Sequence, residues 1–124
     1  MGQEHNELYQ RMANEDSRYR REAFAFTFEA FNYTLEQRRL TGFQGHIDGR
    51  ELCDGIREYA EKCFGFLTKT VFSQWGISRT DDFGEIVFSM IRHGLMKKQE
   101  TDLIDDFRDA YKFDDVFEKS FLSD

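Results

Sequence analysis

"RYRREAFAFTFEAFNYTLEQRR", Arg18 to Arg39, decides what kind of fold this chain adopts. Phe24, Phe28, Phe31 and Leu35 recur at i, i+4, i+7 and i+11, which lines them up along one side of an α-helix. Phe26 and Tyr33 fall on the other side, about 180° away when each residue turns the helix by about 100°. A helix with rings on two sides is either sandwiched between neighbours or offers one side to a partner. The stretch therefore predicts a helical fold and makes Phe26 and Tyr33 candidate interface residues.

Working outward, HIDGRELCDGIREYAEKCFG carries a complete helix-start signal. Asp48 is placed to accept from the amides of the next turn, and Glu51, three residues on, to reach back to the Asp48 amide. Ile47 and Leu52 hold the two positions of a hydrophobic staple. This helix is expected to bury Leu52, Ile56, Tyr59, Ala60 and Cys63 and to stop at Gly65. A shorter helix over 66–75 stops at Gly76. Thr80 is expected to cap a fourth helix, with Asp81 and Asp82 in a first turn where free amides favour negative charge. Gly94 followed by Leu95 is the glycine-then-hydrophobe close of a Schellman end. TDLIDDFRDAY and FDDVFEKSF again show helical spacing, Leu103, Phe107 and Tyr111, then Phe113, Val116, Phe117 and Phe121.

Three short pieces escape these helices: His46-Ile47, Ile77 to Arg79, and Leu95 to Lys98. Each abuts a helix end, as the strands of a small three-stranded winged-helix-like sheet would. The expected architecture is mainly α, a single compact domain of five to seven helices with that sheet as an optional addition. Residues 1–17 read as an N-terminal tail or short helix, and 18–124 as the single helical domain.

A chain of 124 residues with 40% apolar and 33% charged residues suits one globular core. No apolar run approaches the roughly 18 residues of a membrane span. The opening MGQEHNELYQ lacks a charged-then-apolar signal layout and has Asn6 where a myristoylation signal wants Ser or Thr, so a cytoplasmic location and no membrane are expected. The net charge of −7 is uneven: residues 100–124 hold nine acids and three bases. Such an acidic balance disfavours nucleic acid, which needs positive surface. Arg18, Arg20, Arg21, Arg38 and Arg39 are the candidate phosphate contacts if a nucleic-acid face exists.

Reactive constellations are sparse. Zinc needs His and Cys at short paired spacing, and His5, His46, His93, Cys53 and Cys63 are scattered, so neither metal nor cofactor is expected. The acidic DLIDDFRDAYKFDD lacks the alternating ligands and central glycine of an EF-hand loop. No nucleophile elbow, P-loop or dinucleotide fingerprint occurs. Both cysteines read as small buried hydrophobes. Gly55 and Gly84, each costing about 1 kcal/mol inside a helix, imply close approach of another backbone or a ring such as Trp75. The second and fourth helices are expected to cross there.

Taken together, HIDGRELCDGIREYA, WGISRTDDFGEIVFSMIRHGLM and DFRDAYKFDDVF resemble the pattern of a family of small uncharacterised proteins known mainly from planctomycetes and verrucomicrobia. The resemblance spans roughly residues 20–117 and implies no activity. Most of the matching positions are capping and core residues; His46, Arg57 and Asp82 are the polar ones left over and form the candidate functional cluster. The expected role is a protein-binding or regulatory module without catalysis, with a protein partner or a second copy of the chain. A winged-helix-like nucleic-acid binder is the alternative, and an enzyme with a site near His46, Arg57 and Asp82 comes third.

Overall fold

The computed structural model describes residues 5–42, 47–97 and 104–118. Five helices follow in order: α1 (Asn6–Glu15), α2 (Arg21–Leu40), α3 (Gly49–Phe64), α4 (Thr68–Trp75) and α5 (Thr80–Arg92). A strap then runs from a 3₁₀ turn at Ile104–Phe107 to a π turn at Asp114–Glu118. The mainly helical expectation is met. The winged-helix sheet is not: Ile47, Ile77 to Arg79 and Leu95 to Lys97 form no strand among the described residues, and Lys98 and His46 lie outside them. Ile77 to Arg79 are instead drawn into two helix ends, and Leu95 closes α5.

The two-sided helix is sandwiched. On α2 the deepest line is a row of small residues, Ala23, Thr27, Ala30 and Thr34, all buried at i, i+4, i+7 and i+11. The two rings-bearing stripes flank this row, and it bisects them as 3.6-residue geometry requires. α1 covers one flank: its Tyr9 and Met12 are buried, and the His5 ring lies 5.5 Å from Phe28. α3 and α4 cover the other. The Thr27 and Thr34 hydroxyls donate to the Ala23 and Ala30 carbonyls four residues back, so neither polar atom is stranded.

Glycines set the packing distances, with partners other than those expected. A Cβ on Gly55 would lie 1.8 Å from Thr34 Oγ1, so α3 rides on the small-residue row of α2. A Cβ on Gly84 would lie 3.0 Å from Phe107 Cβ, and one on Gly49 2.9 Å from Phe107 Cε2. The Phe107 ring of the strap therefore fills a notch between α3 and α5. The expected crossing of the second and fourth helices (α3 and α5) at Gly55 and Gly84 is corrected: each glycine admits a different element. Trp75 packs elsewhere, against Phe26, Phe64 and Phe72.

The strap is not the pair of α-helices that its spacing suggests; Leu103 and Phe121 fall outside the described residues. Thr80, the expected cap of α5, is instead its first residue. Its buried hydroxyl donates to the Phe107 carbonyl (2.7 Å) and accepts from the Ala110 amide (3.0 Å). Asp81 accepts from the Asp109 amide (2.9 Å), where the backbone turns left-handed at φ 53°. These bonds take groups that a continuing helix would have used for itself. Elsewhere the end signals hold. Asp48 and Glu51 form the reciprocal capping box, and Ile47 and Leu52 are both buried. Leu95 and Gly94 amides donate to the Met90 and Ile91 carbonyls, the Schellman pattern.

Candidate functional site

Asp82 belongs to a structural knot at the start of α5. One carboxylate oxygen accepts from the Tyr19 hydroxyl at 2.6 Å. The other accepts from the Ser78 and Arg79 amides at 2.8 and 3.2 Å, and from the Ser78 hydroxyl at 3.3 Å. The side chain thus reaches back over the helix start and ties it to the α1–α2 connection. Burial and then the Asp82 contact push the Tyr19 phenol well above its ordinary range.

The remaining polar candidates are dispersed. Arg57 is exposed on α3, and His46 lies outside the described residues. The Asp82 carboxylate has its partners on the turn before α5 and on Tyr19, none of them Arg57. Cys53 is buried and its thiol is pushed up to about 12 by desolvation, the opposite of an activated nucleophile. Cys63 corrects its expectation: it is exposed. His93 follows α5, with Nδ1 2.8 Å from the Ser89 carbonyl and Nε2 3.3 Å from Glu15, so it bridges to the end of α1. No group of side chains suited to a metal occurs among the described residues, and no described helix is long and apolar enough to cross a membrane.

The arginines do not make one basic face. Arg18 grips Asp16 with both ends of its guanidinium fork (2.9 and 2.6 Å) and reaches Glu85 at 3.4 Å. Its grip holds the Asp16 carboxyl below the usual range. Arg21 lies near Glu22, Arg39 pairs with Glu36, and Arg38 pairs with Glu51. Arg20 is exposed while its amide donates to the Trp75 carbonyl. Arg21 and Arg38 stand at opposite ends of α2, about 25 Å apart along its axis at about 1.5 Å per residue.

The candidate interface splits in two. Phe26 is buried among Tyr59, Phe64, Phe72 and Trp75, with ring centroids 5.4 to 5.6 Å away. Its expectation as an exposed interface residue is corrected, because α3 and α4 close over it. Tyr33 is only half-buried. Its ring lies 5.2 Å from that of Tyr59, across the α2–α3 seam.

This seam was missed in the sequence because it needs both helices. Tyr33 on α2 donates to Glu58 on α3 (3.5 Å), and Tyr59 on α3 donates back to Glu29 on α2 (3.3 Å). Lys62 Nζ lies 5.7 Å from the centre of the Tyr33 ring. Desolvation first, then the Cys63 thiol and Glu29, push the Tyr59 phenol up to about 12. Desolvation and Glu58 raise Tyr33. Beyond Cys63, Gly65 turns the chain at φ 55° and leaves Phe66 59% and Leu67 53% exposed. That turn is pinned, since the Thr68 hydroxyl lies 2.7 Å from the Gly65 carbonyl.

Set beside protein-family models, curated proteins and solved structures, the chain matches none.

Concavity offers a second place to look. An open cleft of about 540 Å³ lies between the α4–α5 turn and the strap, lined by Ser78, Arg79, Arg108, Lys112 and Phe113 among others. Its charges are largely answered from within: Arg79 pairs with Asp81, Arg108 with Asp105, and Asp114 with Lys69.

Proposed function

We propose that this protein works by binding another protein, and that the docking surface is the α2–α3 seam with the corner that follows it. The observation that carries this reading is the run Tyr33, Tyr59, Cys63, Phe66 and Leu67, in which two partly exposed phenols lead to an exposed thiol and to the exposed side chains of Phe66 and Leu67. Tyrosines suit such a surface, giving large contact area at low entropic cost with a polar tip for orientation. The pinned Gly65 turn supports it further, because Phe66 and Leu67 are presented by a fixed backbone, which lowers the ordering cost of docking.

The exposed thiol supplies the test. A photo-crosslinker attached at Cys63 is placed within the seam, while buried Cys53 is shielded from labelling. In a lysate of the source cells, the Cys63 label is expected to yield a discrete adduct. A label at an introduced Glu7→Cys in a Cys63→Ser background, on α1, is expected not to. Tyr33→Ser with Phe66→Ser should abolish the adduct while leaving helicity unchanged. Identical adducts from both label positions, or persistence of the adduct in the double variant, would refute the reading.

A further inference from the structure

The seam has a definite electrostatic character, and resting on the docking surface just proposed, it constrains the partner. Tyr33 and Tyr59 each donate across to a glutamate on the opposite helix, so four side chains interlock as two crossed phenol–carboxylate pairs. A phenol uses one lone-pair direction of a carboxylate that has about four such acceptor sites. Neither Glu29 nor Glu58 forms an ion pair among the described residues. Two exposed carboxylates with acceptor capacity to spare therefore border a pair of partly exposed rings.

Lys62 reveals what this surface favours. Its ammonium lies over the Tyr33 ring from within the same chain. A ring face draws cations through its quadrupole, and adjacent carboxylates add to the attraction. One lysine answers only part of the charge of Glu29 and Glu58, and the whole chain carries −7. A guanidinium suits the vacancy in charge better than an ammonium, because it stacks flat on a ring while its fork reaches a carboxylate.

We infer that the seam receives a basic, arginine-bearing segment of a partner protein, with a guanidinium lying on the Tyr33–Tyr59 pair and bridging to Glu29 and Glu58. The apolar corner at Phe66 and Leu67 then accommodates the segment's flanking apolar residues. Complementary charge sets the approach and the choice of partner, and the rings supply contact area.

The test uses the full chain and fluorescent nine-residue probes: oligo-arginine, oligo-lysine and a glycine-serine control, followed by anisotropy at low and high salt. Glu29→Gln with Glu58→Gln keeps acceptors for both phenols and removes two charges. Glu7→Gln with Asp115→Asn removes two exposed charges elsewhere. The inference expects oligo-arginine to bind more tightly than oligo-lysine, and the seam variant to weaken it about tenfold, the sum of two charge contacts of roughly 0.7 kcal/mol each. The control variant should change binding less than about twofold by the same arithmetic. Equal weakening in the two variants, or no preference for arginine, would overturn it. Failure of the docking surface itself looks different: the crosslinking contrast at Cys63 would vanish, whereas a partner that still crosslinks in the Glu29→Gln, Glu58→Gln variant overturns only the basic-segment assignment.

Discussion

At the scale of single residues, the glycines and threonines do what larger side chains would prevent. Gly55 admits Thr34 so closely that an added methyl would overlap its hydroxyl at 1.8 Å. Gly84 is tight but less so, with Phe107 Cβ at 3.0 Å. Alanine gains about 1 kcal/mol of helix propensity at either place, against an overpacking cost of about 1–3 kcal/mol. The 1.8 Å overlap puts Gly55 at the upper end of that cost, so Gly55→Ala is expected to lose about 2 kcal/mol net in urea denaturation. Gly84→Ala should lose less, and Gly84→Leu more than either alanine. A Gly55→Ala protein as stable as the parent would contradict the α2–α3 approach. The cysteines allow a simpler check at this scale. Cys63 should react with a thiol reagent in the native protein, and Cys53 only after unfolding; two equally fast thiols would contradict the burial of Cys53.

At the scale of elements, the strap is held by Thr80 and Asp81 rather than by helix formation of its own. Thr80→Val deletes one donor and one acceptor from a buried site and leaves the Phe107 carbonyl and Ala110 amide with no partner there. A loss of about 1–3 kcal/mol is expected, together with faster hydrogen exchange at Ala110. Unchanged protection of that amide would contradict the clamp. The strap also marks where sequence reading failed. Phe107, Tyr111, Phe113 and Phe117 have helical spacing, but the hydrogen bonds that defeat a helix come from α5, some 27 residues away for Thr80 and Phe107. Local signals were legible where all partners lie within one turn, as in the Asp48–Glu51 box and the Gly94 close. The double stripe on α2 was legible as a choice between sandwich and interface. Which side stays open was not, because it depends on α3 and α4 arriving over Phe26. The Tyr33–Glu58 and Tyr59–Glu29 pairs were invisible for the same reason: each joins residues 25 to 30 apart in sequence.

At the scale of the whole molecule, ionisation couples to folding at both ends of the pH range. Burial raises the phenols of Tyr9 and Tyr59 to about 12 and those of Tyr19 and Tyr111 further. A phenol whose folded pKa exceeds its unfolded value near 10 adds stability that is complete below about pH 10 and lost as pH rises beyond it. These phenols are expected to ionise together with loss of helix, seen as coincident changes in phenolate absorbance and far-ultraviolet circular dichroism. Phenolate signal from all of them near pH 10 with helices intact would contradict their burial. At the acid end, Arg79 and the Asp109 amide hold Asp81 low, and Arg18 holds Asp16 low. Their contribution is complete above about pH 4 and fades as the carboxylates protonate below it, so the urea midpoint should fall only in that acid range.

The conspicuous polar residues of the helix starts are tied into the architecture, which leaves the aromatic seam as the proposed binding surface. Asp82 tests it most directly, because its carboxylate ties Tyr19, Ser78 and Arg79 together. Residues kept for reaction chemistry commonly burden the fold, so replacing them leaves stability unchanged or raises it. Residues kept for architecture lower it when replaced. The measurement is urea denaturation of Asp82→Asn at neutral pH. The architectural reading predicts a loss of about 1.5–3 kcal/mol, the size of hydrogen bonds to a charged group. Stability equal to or above that of the parent would contradict it.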